Sequence, residues 1–284
     1  MSLILVIGNA TINIINQFTQ KHAIQRAQAE IHTVGGNAAT TALVLAQHRH
    51  AIEWMGTIGA DTESSWLKQS LLEQGINLSL SSQIAHGRTP VSYINQYQTN
   101  ENHSVVHYRD LPELSLEAFE ACQFSRYDWI HFEGRNSKVL AELLPRLQNR
   151  FDQIISLDIR RADPALNALI AWVDVVFFSK LAVQQQKDYA NAETFLAAQH
   201  QLYPNKVLVC HWAEQGAYAL DKQGELHFVS ANHTNVVETL GAGDVFRAGV
   251  IHSLATGNNL HEALRYAVNL TERKVGQHGL SNLV

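Results

Sequence analysis

Among its 284 residues this chain has only two cysteines, five prolines and no long apolar run, and each shortage removes a class of function. Cys122 and Cys210 make no C-x-x-C and no metal-type spacing, so reduced thiols in a cytoplasmic protein are expected rather than a disulfide framework. No stretch approaches the ~20 apolar residues that cross a bilayer, and no membrane partner is expected. The opening "MSLILVIGNATINII" lacks the basic start and cleavage site of a signal peptide and reads as a first β-strand. Clustered Lys and Arg are missing too. With 21 basic against 26 acidic residues the net charge is −5, which argues against nucleic acid as a partner. The fifteen histidines contain no H-E-x-x-H and no Cys/His spacing, so solvated or capping roles are expected and no protein-held metal.

What is present is an alternation. Short apolar runs recur at 3–8, 127–134, 153–159, 173–179 and 206–212, and most are separated by segments of helical period. In "SSWLKQSLLEQG" Trp66, Leu67, Leu71 and Leu72 are expected to share one face, with Gly75 as the stop. In "SKVLAELLPRLQNR" Pro145 should kink or shorten the helix. This rhythm predicts an α/β fold with a mostly parallel sheet covered on both faces, in one domain over 1–284. Residues 11–34 and 88–109 break it. Both read as antiparallel strands with polar turns, suited to a small separate sheet over one end of the main domain.

The most informative stretch is "ETLGAGDVFRAGVIHSLATG", 238–257. Phe246, Val250 and Leu254 fall at helical spacing with Gly257 as the stop, so a helix is expected from near Asp244. A second helix follows, with Asn259 and Glu262 at capping-box spacing. Gly241 and Gly243 allow a tight turn whose amides, with the helix dipole, suit an anion. A carboxylate there would repel an anion, unless its task is to take a proton from a hydroxyl attacking a phosphate. Spacing alone equally allows Asp244 to be a simple N-cap.

The stretch closely resembles the signature of the ribokinase-like (PfkB) carbohydrate kinases, and is most similar to the ketohexokinase (fructokinase) branch. "GGNAAT" at 35–40, "WIHFEGRN" at 129–136, "DVVFFSK" at 174–180, "LVCHWAEQGA" at 208–217 and the final "GQHGLSNLV" resemble the family in the right order. The resemblance implies a three-layer α/β/α domain with a β-sheet lid formed by the two irregular stretches, and a sugar bound between them. It also implies ATP as phosphoryl donor, with Mg2+ held by phosphates and water, and a homodimer clasped through the lids. Asp244 then corresponds to the general base, and Gly241, Ala242 and Gly243 to the anion hole. Asn13, Gly36, Asn37, Thr40, Asn102 and Arg135 fall at or near sugar-site positions. Gly216 and Val268 match positions lining the purine pocket.

Each assignment has a plainer rival: helix–sheet packing for Gly36 and Asn37, a pair with Glu133 for Arg135, a turn for Asn102, a core position for Val268. The chain also departs from the pattern. Asn13 stands where an aspartate is usual, Thr40 replaces an asparagine, and Glu238 replaces a shorter acid. The Asn-x-x-Glu of many relatives is replaced by Ser179-Lys180-Leu181. His103 and Arg247 stand where the branch has arginine and asparagine, so a guanidinium has moved from lid to helix. Arg247 is expected to reach the phosphate, to pair with Asp244 and lower its pKa, or to lie in solvent. The reading is an ATP-dependent kinase of a primary sugar hydroxyl, with a ketohexose such as fructose first. The rivals are a kinase of another sugar or a nucleoside, and a non-catalytic binding protein on this fold.

Overall fold

A run that is apolar at every position needs cover on both faces, and the apolar runs accordingly form the centre of the main sheet. The computed structural model describes residues 1–19, 26–97, 100–147, 152–232 and 235–284, without the side chains of 100–103. Strand β1 (Leu3–Ile7) leads into β2 (Thr11–Phe18), β3 (Ala29–Gly35) and α1 (Asn37–Gln47). Then come β4 (Ala51–Met55), β5 (Thr57–Ile58), α2 (Thr62–Glu73), β6 (Ser82–Gln83), β7 (Val91–Tyr97) and β8 (Asn100–Tyr108). The alternating half runs β9 (Trp129–Glu133), α3 (Ser137–Leu147), β10 (Ile154–Ile159), α4 (Pro164–Asn167), β11 (Val175–Ser179) and α5 (Lys180–Gln184). It continues through α6 (Ala192–Leu202), β12 (Val207–His211), β13 (Ala217–Leu220) and β14 (Leu226–Val229) to α7 (Ala242–Ala255) and α8 (Leu260–Val275).

The main sheet has the order β14-β13-β12-β11-β10-β9-β1-β4, parallel from β4 to β12 and antiparallel in the last two strands. Side chains alternate between two cores. Ile4 and Val6 pack with residues of α1, α7 and α8, while Leu5 and Ile7 belong to the cluster holding Leu140, Leu144 and Phe195 of α3 and α6. This is the expected three-layer α/β/α arrangement. Among the described residues no helix is long and apolar enough to cross a membrane.

The small sheet forms where the sequence breaks rhythm, with order β3-β2-β7-β8. It is mixed rather than antiparallel: β2 pairs antiparallel with β3 and β7 with β8, but β2 and β7 run parallel. Both leave the same edge of the main domain, tied by the Ile12 amide to Pro90 O at 2.9 Å, so they point the same way and their returning partners flank them.

Helical details also differ from the expected pattern. Leu67 and Leu71 of α2 are buried, but Trp66 and Leu72 flank that stripe and are exposed, because the buried face is only an i, i+4 line wide. Pro145 lies in the last described turn of α3. Helix α7 begins at Ala242, two residues before the expected start, with Gly241 as N-cap in the left-handed region (φ 79°, ψ 0°). Side chains with a Cβ rarely adopt that conformation, and glycine does so freely. Asp244 is therefore a first-turn residue and not the cap. Helix α8 carries the expected capping box between Asn259 and Glu262.

Candidate functional site

A cleft of about 1580 Å³ lies between the small sheet, which forms a lid, and the ends of the main-sheet strands. Asn13, Gly36, Asn37, Thr40, Arg135, Gly241 and Asp244 all line it. Such a position follows from topology, since strand ends and helix starts converge at the carboxyl edge of a parallel sheet. Asn102 falls within β8, but its side chain lies outside the described residues, as does that of His103.

The lid's contribution is a polar row. Thr33, Asn13, Ser92 and His107 stand opposite one another across all four strands and all face the cleft. Ser92 Oγ lies 2.9 Å from His107 Nδ1, and Thr11 Oγ1 donates to Asn13 Oδ1 at 3.5 Å. Any Cβ at residue 35 would collide with the Asn13 amide, which explains Gly35. The next facing row, Ile31, Ile15, Ile94 and Val105, is apolar. Ser92 and His107 escaped the sequence reading because period-2 register, not a motif, brings them beside Asn13.

The start of α1 is built around a buried carboxylate. Glu133 accepts from the Asn9 amide at 2.7 Å and from Asn37 Nδ2 at 2.9 Å, while Asn37 Oδ1 accepts from Arg160. Burial raises the Glu133 pKa, and Arg135 opposes that rise. Gly36 has φ 88°, and a Cβ there would sit 2.5 Å from Asn9 O, so the turn admits no larger residue. Arg135 does pair with Glu133, at 3.7 Å, but more closely with Glu113, to which Nε and Nη2 donate at 3.0 and 2.7 Å.

At the start of α7 the two helix openings meet: a Cβ on Gly241 would lie 3.4 Å from Thr40 Cγ2. The Ala242 amide is bonded to Thr239 O at 3.1 Å and that of Asp244 to Gly241 O at 3.0 Å. Among the described residues, the Leu240, Gly241 and Gly243 amides of this turn make no hydrogen bond and are left to meet an anion. Ala242 and Gly243 are not among the cleft-lining side of the turn, whereas Gly241 and Asp244 are.

Beneath the turn lies a buried charge triad. Arg247 donates from Nη2 to Asp244 Oδ1, and its Nη1 lies 3.3 Å from Asp158 Oδ1 on β10. Arg247 is buried, which removes the solvent alternative. The pairing does oppose protonation of Asp244, but burial is the larger influence, and the pKa is pushed up to about 6 instead of down. His131 and His211 stand close by, and burial, reinforced by Arg247, pushes them down to about 3 and about 4, so both are neutral. Asp158 was missed by the sequence reading although its signal was present: an acid inside the apolar run "QIISLDI" must be paired to be tolerated.

Glu238 closes the far side. Its Oε2 takes Lys274 Nζ and the Gly279 amide, each at 2.8 Å, and its Oε1 takes Gln96 Nε2 from the lid at 3.3 Å. Burial would raise its pKa, but the Lys274 and Gly279 bonds prevail and lower it. Arg160 and Arg161 also line the cleft and are exposed. Ser179 caps α5 through Ala182 N at 3.0 Å, and Lys180 turns to Glu214 at 2.5 Å. Gly216 occupies a left-handed turn before β13, with no room for a Cβ beside Val229 O, and Val268 is buried in the α7–α8 core. Neither lines the cleft. Asp221, Glu225 and His227 cluster within 4.8 Å on the β13–β14 hairpin, where Asp221 accepts from the Gln223 and Glu225 amides.

The arrangement joins unpartnered amides at a helix start to a buried carboxylate that holds its proton until about pH 6. Such a pair can receive a hydroxyl proton beside an anion. Compared with known proteins, residues 1–284 match the pfkB family carbohydrate kinases. The chain is 29% identical over 282 residues to ketohexokinase of Mus musculus, covering 96% of this chain and 95% of that one. It is 20% identical over 303 residues to 5-dehydro-2-deoxygluconokinase of Listeria monocytogenes, covering 98% and 91%. Among solved structures, Arabidopsis thaliana ribokinase complexed with ribose and ATP has a TM-score of 0.81 at 18% identity, covering 98% and 94%. The nucleoside kinase of Methanocaldococcus jannaschii has 0.78 at 16%, covering 100% and 95%.

Proposed function

The chain belongs to the pfkB family of carbohydrate kinases, and on that premise we propose that the cleft transfers the γ-phosphoryl group of ATP to a primary hydroxyl of a small sugar, with a ketohexose as substrate. The observation that carries this reading is Asp244, buried at the start of α7 beside the free Gly241 and Gly243 amides, with its pKa raised to about 6. Above that pH it accepts the hydroxyl proton as the oxygen attacks phosphorus. ADP leaves, and the amides stabilise charge on the transferring group. Arg160 and Arg161 supply positive charge on the phosphate side of the cleft.

Thr33, Asn13, Ser92 and His107 read the sugar hydroxyls, together with Asn37, Arg135 and, from the lid, Asn102. Thr40 contacts the sugar beside Gly241. Gly216 and Val268 shape the purine end from behind the surface. The carboxylates lining the cleft are already engaged: Glu133 by Asn9 and Asn37, Glu238 by Lys274, Asp244 by Arg247, Glu73 by Gln69 and Asp163 by the Ala165 amide. Mg2+ therefore arrives on ATP, held by phosphate oxygens and water, and offsets their charge. The likeness to mouse ketohexokinase supports a ketohexose. A lid-to-lid homodimer is supported by the lid's outer face, where Tyr93 and Val106 are 44% and 62% exposed. Buried free thiols and ATP consumption fit a cytoplasmic enzyme.

The test is ADP release with Mg-ATP and fructose, ribose, 5-dehydro-2-deoxygluconate or adenosine. Fructose should give the highest kcat/KM. A preference for ribose or adenosine would overturn the ketohexose. No ADP release with any acceptor would point to a binding protein on this fold.

A further inference from the structure

Asp158 has no place in the mechanism above, yet it is the least expected side chain beneath the cleft. It is 1% exposed, inside a strand that is otherwise apolar but for Ser156, and neither carboxylate oxygen makes a hydrogen bond among the described residues. Its nearest cationic group is Arg247 Nη1 at 3.3 Å, on the side of the guanidinium away from Asp244. A buried carboxylate with so little local support is costly, so a packing role alone would be better served by an apolar residue of similar size.

The charges decide what it can do. With Asp244 alone, Arg247 would complete a neutral ion pair, and a carboxylate already matched by a guanidinium is a poor proton acceptor. Burial raises the Asp158 pKa and Arg247 at 3.3 Å opposes that rise; with Asp158 ionised, one guanidinium faces two carboxylates, and the triad carries one uncompensated negative charge. Of the other groups facing it, Arg160, just past β10 and bonded to Asn37, opposes that charge from an exposed position, and Glu133 on β9 adds to it. His131 on β9 and His211 on β12 are neutral.

We propose that Asp158 is a positioning residue that holds and neutralises one side of Arg247, leaving Asp244 the negative charge with which it takes the substrate's proton. The proposal rests on Asp244 being the general base. The proton belongs to the triad as a whole, and Asp244 is its only member on the cleft wall, so substrate meets the charge there.

The experiment is the pH dependence of kcat/KM for the sugar, measured on the parent, Asp158→Asn, Arg247→Asn and the double variant. Titration of ATP is common to all four, so differences between them report the protein. Asp158→Asn should move the acid limb to lower pH by about one unit, the lower end for a neighbouring charge. It should cut kcat on the plateau about three- to tenfold through the weaker base, with KM for ATP unchanged. Arg247→Asn should move the limb the opposite way, and the double variant should fall between. Limbs that stay together, or move in one direction in both single variants, overturn the proposal. If Asp158→Asn does not fold, the upward shift in Arg247→Asn remains the required result, and its absence overturns the proposal equally. Asp244→Asn separates the two readings. Full activity in that variant removes the base itself, whereas loss of activity there with unmoved limbs elsewhere removes only the role of Asp158.

Discussion

The two walls of the cleft work with different chemistry. The lid presents a row of hydrogen-bonding groups, Thr33, Asn13, Ser92 and His107, on a four-stranded sheet with an apolar row beyond it. The floor presents a cluster of acid and guanidinium groups, Asp244 over Arg247 and Asp158, sunk beneath a helix start. Neutral donors and acceptors exchange water for substrate at little net cost, which suits choosing among hydroxyl patterns. Buried charges are expensive to create and hard to reorient, which suits a fixed step such as proton transfer. On the proposed reading the lid row, joined by Asn37, Arg135 and Thr40, chooses the substrate, and the reaction belongs to the floor.

The comparison breaks most visibly at Asp244. Asp244→Asn should lower turnover by about 10²- to 10⁴-fold while sugar and ATP still bind, as single-turnover kinetics and calorimetry can separate. Retention of most of the turnover would end the division of labour. The same substitution should stabilise the protein at neutral pH. Burial lifts the folded pKa to about 6, above the ~3.9 of an unfolded chain, so ionised Asp244 penalises folding most above pH 6 and not at all below about pH 4. Thermal melts should show a gain of up to about 3 kcal/mol at pH 8 that vanishes by pH 4. No gain at pH 8 would mean that Arg247 compensates the carboxylate fully.

Asn13→Ala tests the other wall. It should raise the sugar KM by about five- to tenfold, the loss of one hydrogen bond of roughly 1 kcal/mol, with the ATP KM and the acid limb unchanged. Asn13→Asp should redistribute activity among sugars, and an unaltered sugar profile in both variants would take Asn13 out of the site. The smallest effect is expected outside the cleft. Val106→Ser should leave kinetics and monomer stability within about 0.5 kcal/mol of the parent, and weaken any dimer in sedimentation.

How much of this was legible before the structure depends on what kind of signal each part carries. The apolar runs of β1, β9, β10, β11 and β12 announced a covered parallel sheet, because burial on both faces leaves few polar positions. The glycine turn before Asp244 was legible for the same local reason. The direction of β2 against β7 was not, since alternation marks a strand without saying which neighbour it meets. The triad was half legible: Asp244 and Arg247 are i, i+3 neighbours on one helix, but Asp158 arrives from 86 positions upstream of Asp244 through sheet topology. Register likewise conceals the row beside Asn13.

Glu238 has three partners of unequal hold, and the inequality sets how the cleft exchanges its contents. Its Oε2 is clamped by an ammonium that is 1% exposed and by a backbone amide, both at 2.8 Å. Its Oε1 meets the lid only through the Gln96 amide at 3.3 Å. The Lys274 bond joins opposite charges at the shorter distance, whereas the Gln96 bond has an uncharged donor and is longer, 3.3 Å against 2.8 Å, so it is the weaker hold. Any outward movement of the lid would part the weaker attachment first, where water can replace it, so on this side the free-energy step would be on the order of 1 kcal/mol. That is a population ratio of roughly five between joined and parted forms, easily tipped by a bound sugar. The turn before α7, fastened to Lys274, can keep its shape through every such excursion.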